Sequence, residues 1–185
     1  MTNPMDPQAA ARFIRSLRAV RRFSDRDIPD DVLADILETA RWTASAKNTQ
    51  PWRLVVVRER DTLAKLAECG QFAYHLAGAR LAIVLVMHSR GASFDAGRLA
   101  SNIMLGAWAQ GVGSCIGWFW PDDNEGRVKE LLAIPPERTV QVGISLGYPA
   151  DEDALWASRS PNRTSGFPLG RIPMDELVSW ERFQP

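Results

Sequence analysis

Three polar side chains, Ser45, Asn48 and Gln50, fall among small residues in the stretch 43–52, between an amphipathic helical pattern and the apolar run 54–57. A short loop at the end of a core element holds hydroxyl and amide groups firmly enough to meet a ligand. Pro51 fixes its own φ and biases Gln50 toward extended backbone, so the preceding helix cannot simply continue. A second group is cationic: Arg12, Arg15, Arg18, Arg21 and Arg22 follow one another with no acidic residue between them. On a helical projection Arg12, Arg15, Arg18 and Arg22 share the polar face, whereas Arg21 follows Ile14 and Leu17 along the apolar stripe. A guanidinium on a buried side is costly unless an anionic or hydrogen-bonding group meets it. Attraction of cations to a helix C-terminus accounts for part of the cluster. A phosphate at Arg18 with a polarised heterocycle beside Arg21 accounts for Arg21 as well.

The elements that must position these groups follow from periodicity. A helical stripe begins at Ala10 and runs through Phe13, Ile14, Leu17 and Val20. Pro29 opens a second helix whose inward face carries Val32, Leu33, Ile36, Leu37 and Ala40. The run 54–57 reads as a buried strand, and a short helix at 61–67 follows it. Residues 81–87 are apolar on both faces, the mark of a centrally placed strand. A long helix at 95–110 is apolar nearly all round, with Gly97, Ala100, Ser101, Gly106 and Ala107 small enough for another backbone to approach. A chain of 185 residues hardly covers such a helix alone, so a subunit interface is expected there. A strand at 114–120, a helix near 125–132 and a strand at 139–146 complete the pattern. Beyond Pro149 the composition turns to prolines, charges and isolated anchors such as Trp156, Phe167 and Trp180. This extension, 150–185, cannot form its own core and is expected to wrap a neighbour, with a helical turn at 175–180.

Size and composition fit one domain over 1–185, with 45% apolar residues for its core. The 22 basic and 22 acidic residues cancel, so no electrostatic footprint for nucleic acid or an anionic membrane is present. The first residues lack a signal-peptide layout, and no apolar window is long enough to span a bilayer. A cytoplasmic location is expected, with Cys69 and Cys115 as reduced thiols. Neither His75 nor His88 stands in metal-ligand spacing, so no metal is expected. Glycines 111 and 113 enter a strand rather than opening a helix, against a Rossmann motif. Ser-His-Asp, paired-carboxylate and HExxH arrangements are all missing. Trp118, Phe119 and Trp120 offer aromatic surface, although core packing is the expected role of at least two of them.

The segment Ser45-x-x-Asn48-x-Gln50-Pro51-Trp52 resembles the loop signature of the nitroreductase family of flavin enzymes. The stretch 17–23 with Ile28-Pro29 is similar to the family's Arg-Arg-Ser-x-Arg-x-Phe segment, residues 111–118 to its Gly-x-Gly-Ser strand, and Arg171-Ile172-Pro173 to its C-terminal Arg-x-Pro. Together these segments span most of the chain in family order. The resemblance implies an α+β fold with a central, mostly antiparallel sheet flanked by helices, and a homodimer with flavin mononucleotide (FMN) at the interface. It assigns the flavin phosphate to Arg18 and Arg171, the flavin N1–C2 carbonyl edge to Arg21, and flavin contacts to Ser45 and Asn48. Main-chain amides at Gly117 and Trp118 would approach flavin N5. The chain departs from the pattern at Leu17 for arginine, Ala19 for serine and Ala44 for proline, which leaves Arg22 or main-chain amides to replace the lost phosphate donors. The implied reaction is a ping-pong one: NADH or NADPH reduces FMN, and the flavin then reduces a nitroaromatic, quinone or similar conjugated acceptor. Because flavin performs the hydride chemistry, no fixed acid–base pair is required. The alternatives are another flavin chemistry, such as dehalogenation, enone reduction or flavin modification, and a flavin-binding dimer without turnover.

Overall fold

The computed structural model describes residues 6–156 and 171–183. Its elements are α1 (Pro7–Ser16), α2 (Asp30–Arg41), β1 (Trp52–Val57), α3 (Arg60–Ala67), β2 (Leu81–Met87), α4 (Ser93–Ala109), β3 (Gly113–Trp118), α5 (Asp123–Leu131), β4 (Thr139–Gly147), α6 (Glu152–Trp156) and α7 (Met174–Leu177). The four strands form one antiparallel sheet in the order β1-β2-β4-β3. As its two apolar faces require, β2 lies inside the sheet and is buried along its whole length.

Side-chain alternation divides the core in two. Leu81, Ile83, Leu85 and Met87 join Val142, Ile144 and Leu146 on one face and pack under Ile36, Ala40, Leu99 and Ile103 of α2 and α4. Ala82, Val84, Val86 and Val140 face the other way, against Leu63, Leu66, Leu76, Phe119 and Val128. The result is a sheet covered by helices on both faces, an α+β arrangement of three layers. Among the described residues no helix is long and apolar enough to cross a membrane.

Several sequence expectations need correction. The first helix stops at Ser16 instead of running through Val20, because Leu17 turns extended at φ −52°, ψ 133°. From there the chain lies beside β3: Ala19 bridges Ser114 in parallel fashion, and the Val20 N–H donates to the Ser114 carbonyl at 2.9 Å. Arg18, Arg21 and Arg22 therefore do not sit on a helix, and the helical projection does not describe them. Gln50 has φ +46° rather than extended backbone, and Lys47 and Asn48 are also left-handed at 53° and 54°. The run 54–57 belongs to an edge strand whose middle is half-buried. The strand expected at 114–120 ends at Trp118, and the helix expected from Asp95 begins at Ser93. In the extension, α7 shifts the anticipated turn to Met174–Leu177, while Phe167 lies outside the described residues.

Candidate functional site

Of the sequence-marked residues, Ala19, Gly117 and Trp118 lie on or beside the free edge of β3, with Arg21 two positions on from the Ala19 bridge. That strand pairs with β4 on one side; on the other, Ala19 meets it only at Ser114. Past Ser114, no strand among the described residues covers its outer edge, so outward-pointing main-chain groups there are open to a ligand. Gly113 makes the approach of the arginine segment possible, since a Cβ there would stand 2.7 Å from the Val20 side chain. Gly117 is buried, whereas Ile116 and Trp118, on the α4 side of the sheet, are 43% and 44% exposed. They border a hollow of about 130 Å³ that is also lined by Leu85, Met87, Ala96, Ala100 and Val142.

The arginines separate by what they touch. The Arg18 Nη1 donates to the carbonyls of Arg15 and Leu17 at 2.8 and 2.7 Å, closing the end of α1. Arg22 pairs with Asp151 at 2.8 Å. Arg21 has no carboxylate partner among the described residues, and its positive charge pulls against the rise that burial imposes on the Cys115 thiol. Arg21 is half-buried. Such a cation is poised to receive an anionic or polarised group. Arg171 is exposed on the segment leading into α7, and Ala44 is exposed at the head of the 43–52 loop.

That loop is anchored at its start, where Asn102 Nδ2 of α4 donates to the buried Thr43 hydroxyl at 2.9 Å. Within it the Gln50 N–H donates to Ser45 Oγ at 2.9 Å, and Gln50 Nε2 donates to Asn48 Oδ1 at 3.1 Å. Both contacts use acceptor capacity, leaving the Ser45 hydroxyl proton and the Asn48 amide hydrogens as donors. The three left-handed residues cost of order 1 kcal/mol each, and strain of this kind concentrates at ligand-binding segments. Among the described residues no hydrogen bond or ion pair joins this loop to Arg21, so the structure organises two half-sites: a donor loop, and a cation near a strand edge.

These two half-sites accompany a match to the Nitroreductase family over residues 14–73 and 70–148. The chain belongs to the nitroreductase family. A protein of Archaeoglobus fulgidus named as an NADH dehydrogenase/NAD(P)H nitroreductase is 35% identical over 149 residues, covering 76% of this chain and 86% of that protein. Among solved structures, an FMN-dependent nitroreductase from Clostridium difficile R20291 is 28% identical with a TM-score of 0.70, covering 75% of this chain and 87% of the other. A structure from Bacteroides thetaiotaomicron VPI-5482 shares the fold at a TM-score of 0.78 and 23% identity, covering 95% and 98% of the two chains.

A flavin of this family suits the residues present. Its phosphate, ribityl and carbonyl oxygens need donors, which Ser45, Asn48 and Arg21 retain. Ser114 Oγ, fully buried beside Ala19 and without a hydrogen-bond partner, is a further polar group that internal packing leaves unpaired. No cluster of His, Cys, Asp or Glu among the described residues could hold a metal. No site role was legible in the sequence for Ile116 or for the buried His75, Ser145 and Cys115 around the same strand. One signal was present: Ser145 is the one polar side chain in the run 142–147, and a serine so placed must find partners.

Proposed function

We propose that this nitroreductase-family chain is an FMN-dependent oxidoreductase that takes electrons from NADH or NADPH and passes them to a nitroaromatic, quinone or similar conjugated acceptor in ping-pong fashion. Arg21 carries the reading: a half-buried guanidinium beside an open strand edge, with no carboxylate partner among the described residues. Its role would be to stabilise negative charge at the flavin N1–C2 carbonyl edge. Arg18, through the nitrogens not spent on α1, and Arg171 would meet the phosphate. Ser45 and Asn48 would donate to the flavin, and the Gly117 and Trp118 amides would line its N5 side. Bound flavin supplies hydride acceptance and donation, which explains the lack of an acid–base pair. The acceptor is assigned to the hollow beside Ile116 and Trp118; at about 130 Å³ it is close to the roughly 150 Å³ of an apolar cavity that binds benzene.

The test is spectroscopic. Purified protein with FMN should show a bound-flavin absorbance that bleaches under anaerobic NADH or NADPH and returns on adding a nitroaromatic or quinone. A protein that stays colourless and ignores FMN would exclude the reading.

A further inference from the structure

Two glycines face each other at one end of the sheet. Gly113 of β3 and Gly147 of β4 are register partners, so they open on the same face. Both are buried, and neither has the left-handed φ that marks Gly111, so backbone conformation does not call for glycine at either place. Glycine weakens a strand unless another group must come close. A Cβ on Gly113 would stand 2.7 Å from the Val20 Cβ, and one on Gly147 would stand 2.8 Å from the Phe23 Cδ1 and 2.9 Å from its Cβ. Val20, fully buried, and Phe23, half-buried, therefore fill the notch that the two missing side chains leave.

Between these two fillers stands Arg21, and main-chain bonds hold the chain on both sides of it. The Val20 N–H donates to the Ser114 carbonyl at 2.9 Å, and the Arg22 carbonyl accepts from the Ala150 N–H at 3.1 Å. The Ser24 N–H donates to the Tyr148 carbonyl at 2.8 Å, and Phe23 bridges Pro149 in antiparallel fashion. Arg21 is thus the residue at which the chain crosses from the edge of β3 to the exit of β4. The Arg22–Asp151 pair at 2.8 Å ties the same side, and Asp151 also accepts from the Ala154 N–H at 2.7 Å. Exposed ion pairs hold weakly, so the notch is the firmer anchor.

We propose that Gly147, together with Gly113, is a positioning residue for Arg21: the paired glycines let Val20 and Phe23 seat on either side of it and so fix where its side chain leaves the main chain. The inference rests on the reading of Arg21 as the partner of the flavin N1–C2 carbonyl edge. A charge that must meet one edge of a ring loses much of its effect when misplaced by about 1 Å. A methyl group on Gly147 forces a shift of that order, because the contact at 2.8 Å must open to at least the 3.4 Å of ordinary van der Waals packing. The shift falls on Phe23, two residues from Arg21 along the same crossing.

Wild type, Gly147→Ala, Arg21→Ala and the double variant should be compared for FMN dissociation constant, two-electron midpoint potential of the bound flavin, and thermal midpoint of the apoprotein. Gly147→Ala is expected to bind FMN about tenfold more weakly. Its potential should fall by about 30 mV, corresponding to a further tenfold loss of preference for the reduced form. In the Arg21→Ala background the same substitution should change FMN affinity by no more than about twofold and leave the potential where Arg21→Ala put it, while the thermal midpoint falls equally in both backgrounds. Equal losses of FMN affinity in the two backgrounds would overturn the proposal, since Gly147 would then support the fold alone. A folded Gly147→Ala protein with wild-type affinity and potential, alongside an impaired Arg21→Ala, would overturn it while leaving the flavin reading intact. An Arg21→Ala protein with unchanged affinity and potential would remove the reading of Arg21 and the proposal with it. Should Gly147→Ala fail to fold, Phe23→Ala, which empties the same notch from the other side, takes its place in the cycle with the same expected and overturning results.

Discussion

At the scale of single residues, the arginines show what a sequence cannot encode locally. Five of them follow one another, yet what they meet differs: neighbouring carbonyls for Arg18, the distant Asp151 for Arg22, and no carboxylate among the described residues for Arg21. Arg21→Ala should lower FMN affinity at least tenfold with little change in thermal midpoint. Arg58→Ala, which breaks an exposed pair with Asp30 at 2.7 Å, should cost under about 1 kcal/mol and leave FMN binding alone. Fluorescence titration of FMN into both variants checks the contrast, and equal affinities would remove Arg21 from the site. His75 makes a second residue-scale prediction. Its folded value of about 4 lies below the ordinary 6.5, so between those limits the unfolded chain binds the extra proton. Stability is therefore unaffected by this group above about pH 6.5 and falls as pH drops toward 4, by on the order of 3 kcal/mol. Urea melts from pH 7.5 to 4 should show that loss in wild type and a smaller one in His75→Gln.

At the scale of elements, periodicity located what burial controls. The all-apolar run of β2, the inward stripe of α2 and the long apolar α4 stand within a residue or two of where the pattern puts them, because side-chain burial imprints its period on the sequence. The end of α1 was not legible. Leu17 continues the apolar stripe, and only the pairing of Val20 with Ser114, almost a hundred positions away, draws the chain off the helix. The left-handed turn at Lys47, Asn48 and Gln50 was equally hidden, since none is a glycine; their polar type marked the loop as a site without disclosing its backbone. Two glycines test how elements support the site. A Cβ on Gly70 would sit 2.2 Å from the Trp118 carbonyl oxygen, so this glycine allows the 70–76 segment to close under the end of β3. Gly70→Ala should destabilise by about 2 kcal/mol through overpacking, lower the melting temperature by about 5 °C, and weaken FMN binding by displacing β3. Gly126→Ala lies in mid-helix with open space around it and should instead stabilise by about 1 kcal/mol. A Gly70→Ala protein as stable as wild type would show that the segment and the strand are not tightly coupled.

At the scale of the whole molecule, one chain leaves apolar surface uncovered. The inner half of α4 is buried against the sheet and α2, and Trp108 Nε1 donates to Ser16 of α1 at 2.8 Å, so a single copy covers more of this helix than its composition suggested. Its other face still presents Phe94, 77% exposed, with Gly97 and Ser101 also exposed. Ile116 and Trp118 are open next to it, and Trp180 and Phe183 on the extension are 79% and 87% exposed. Scattered apolar residues on a surface are ordinary, but aromatic anchors on a tail without a core of its own need a surface to dock on. A second copy would supply one, and it would bring a donor loop and an Arg21 edge from two chains toward a common ligand. The expectation is a homodimer at low micromolar concentration, with an interface of roughly 1,600 Å² or more. Sedimentation velocity on wild type and on a Trp180→Ser/Phe183→Ser variant tests it. If the aromatics anchor the tail, each is worth about 2 kcal/mol, so the double variant should dissociate roughly a thousandfold more readily and lose FMN in parallel. A wild-type monomer holding FMN tightly would place the complete site within one chain and remove the reason for expecting the second.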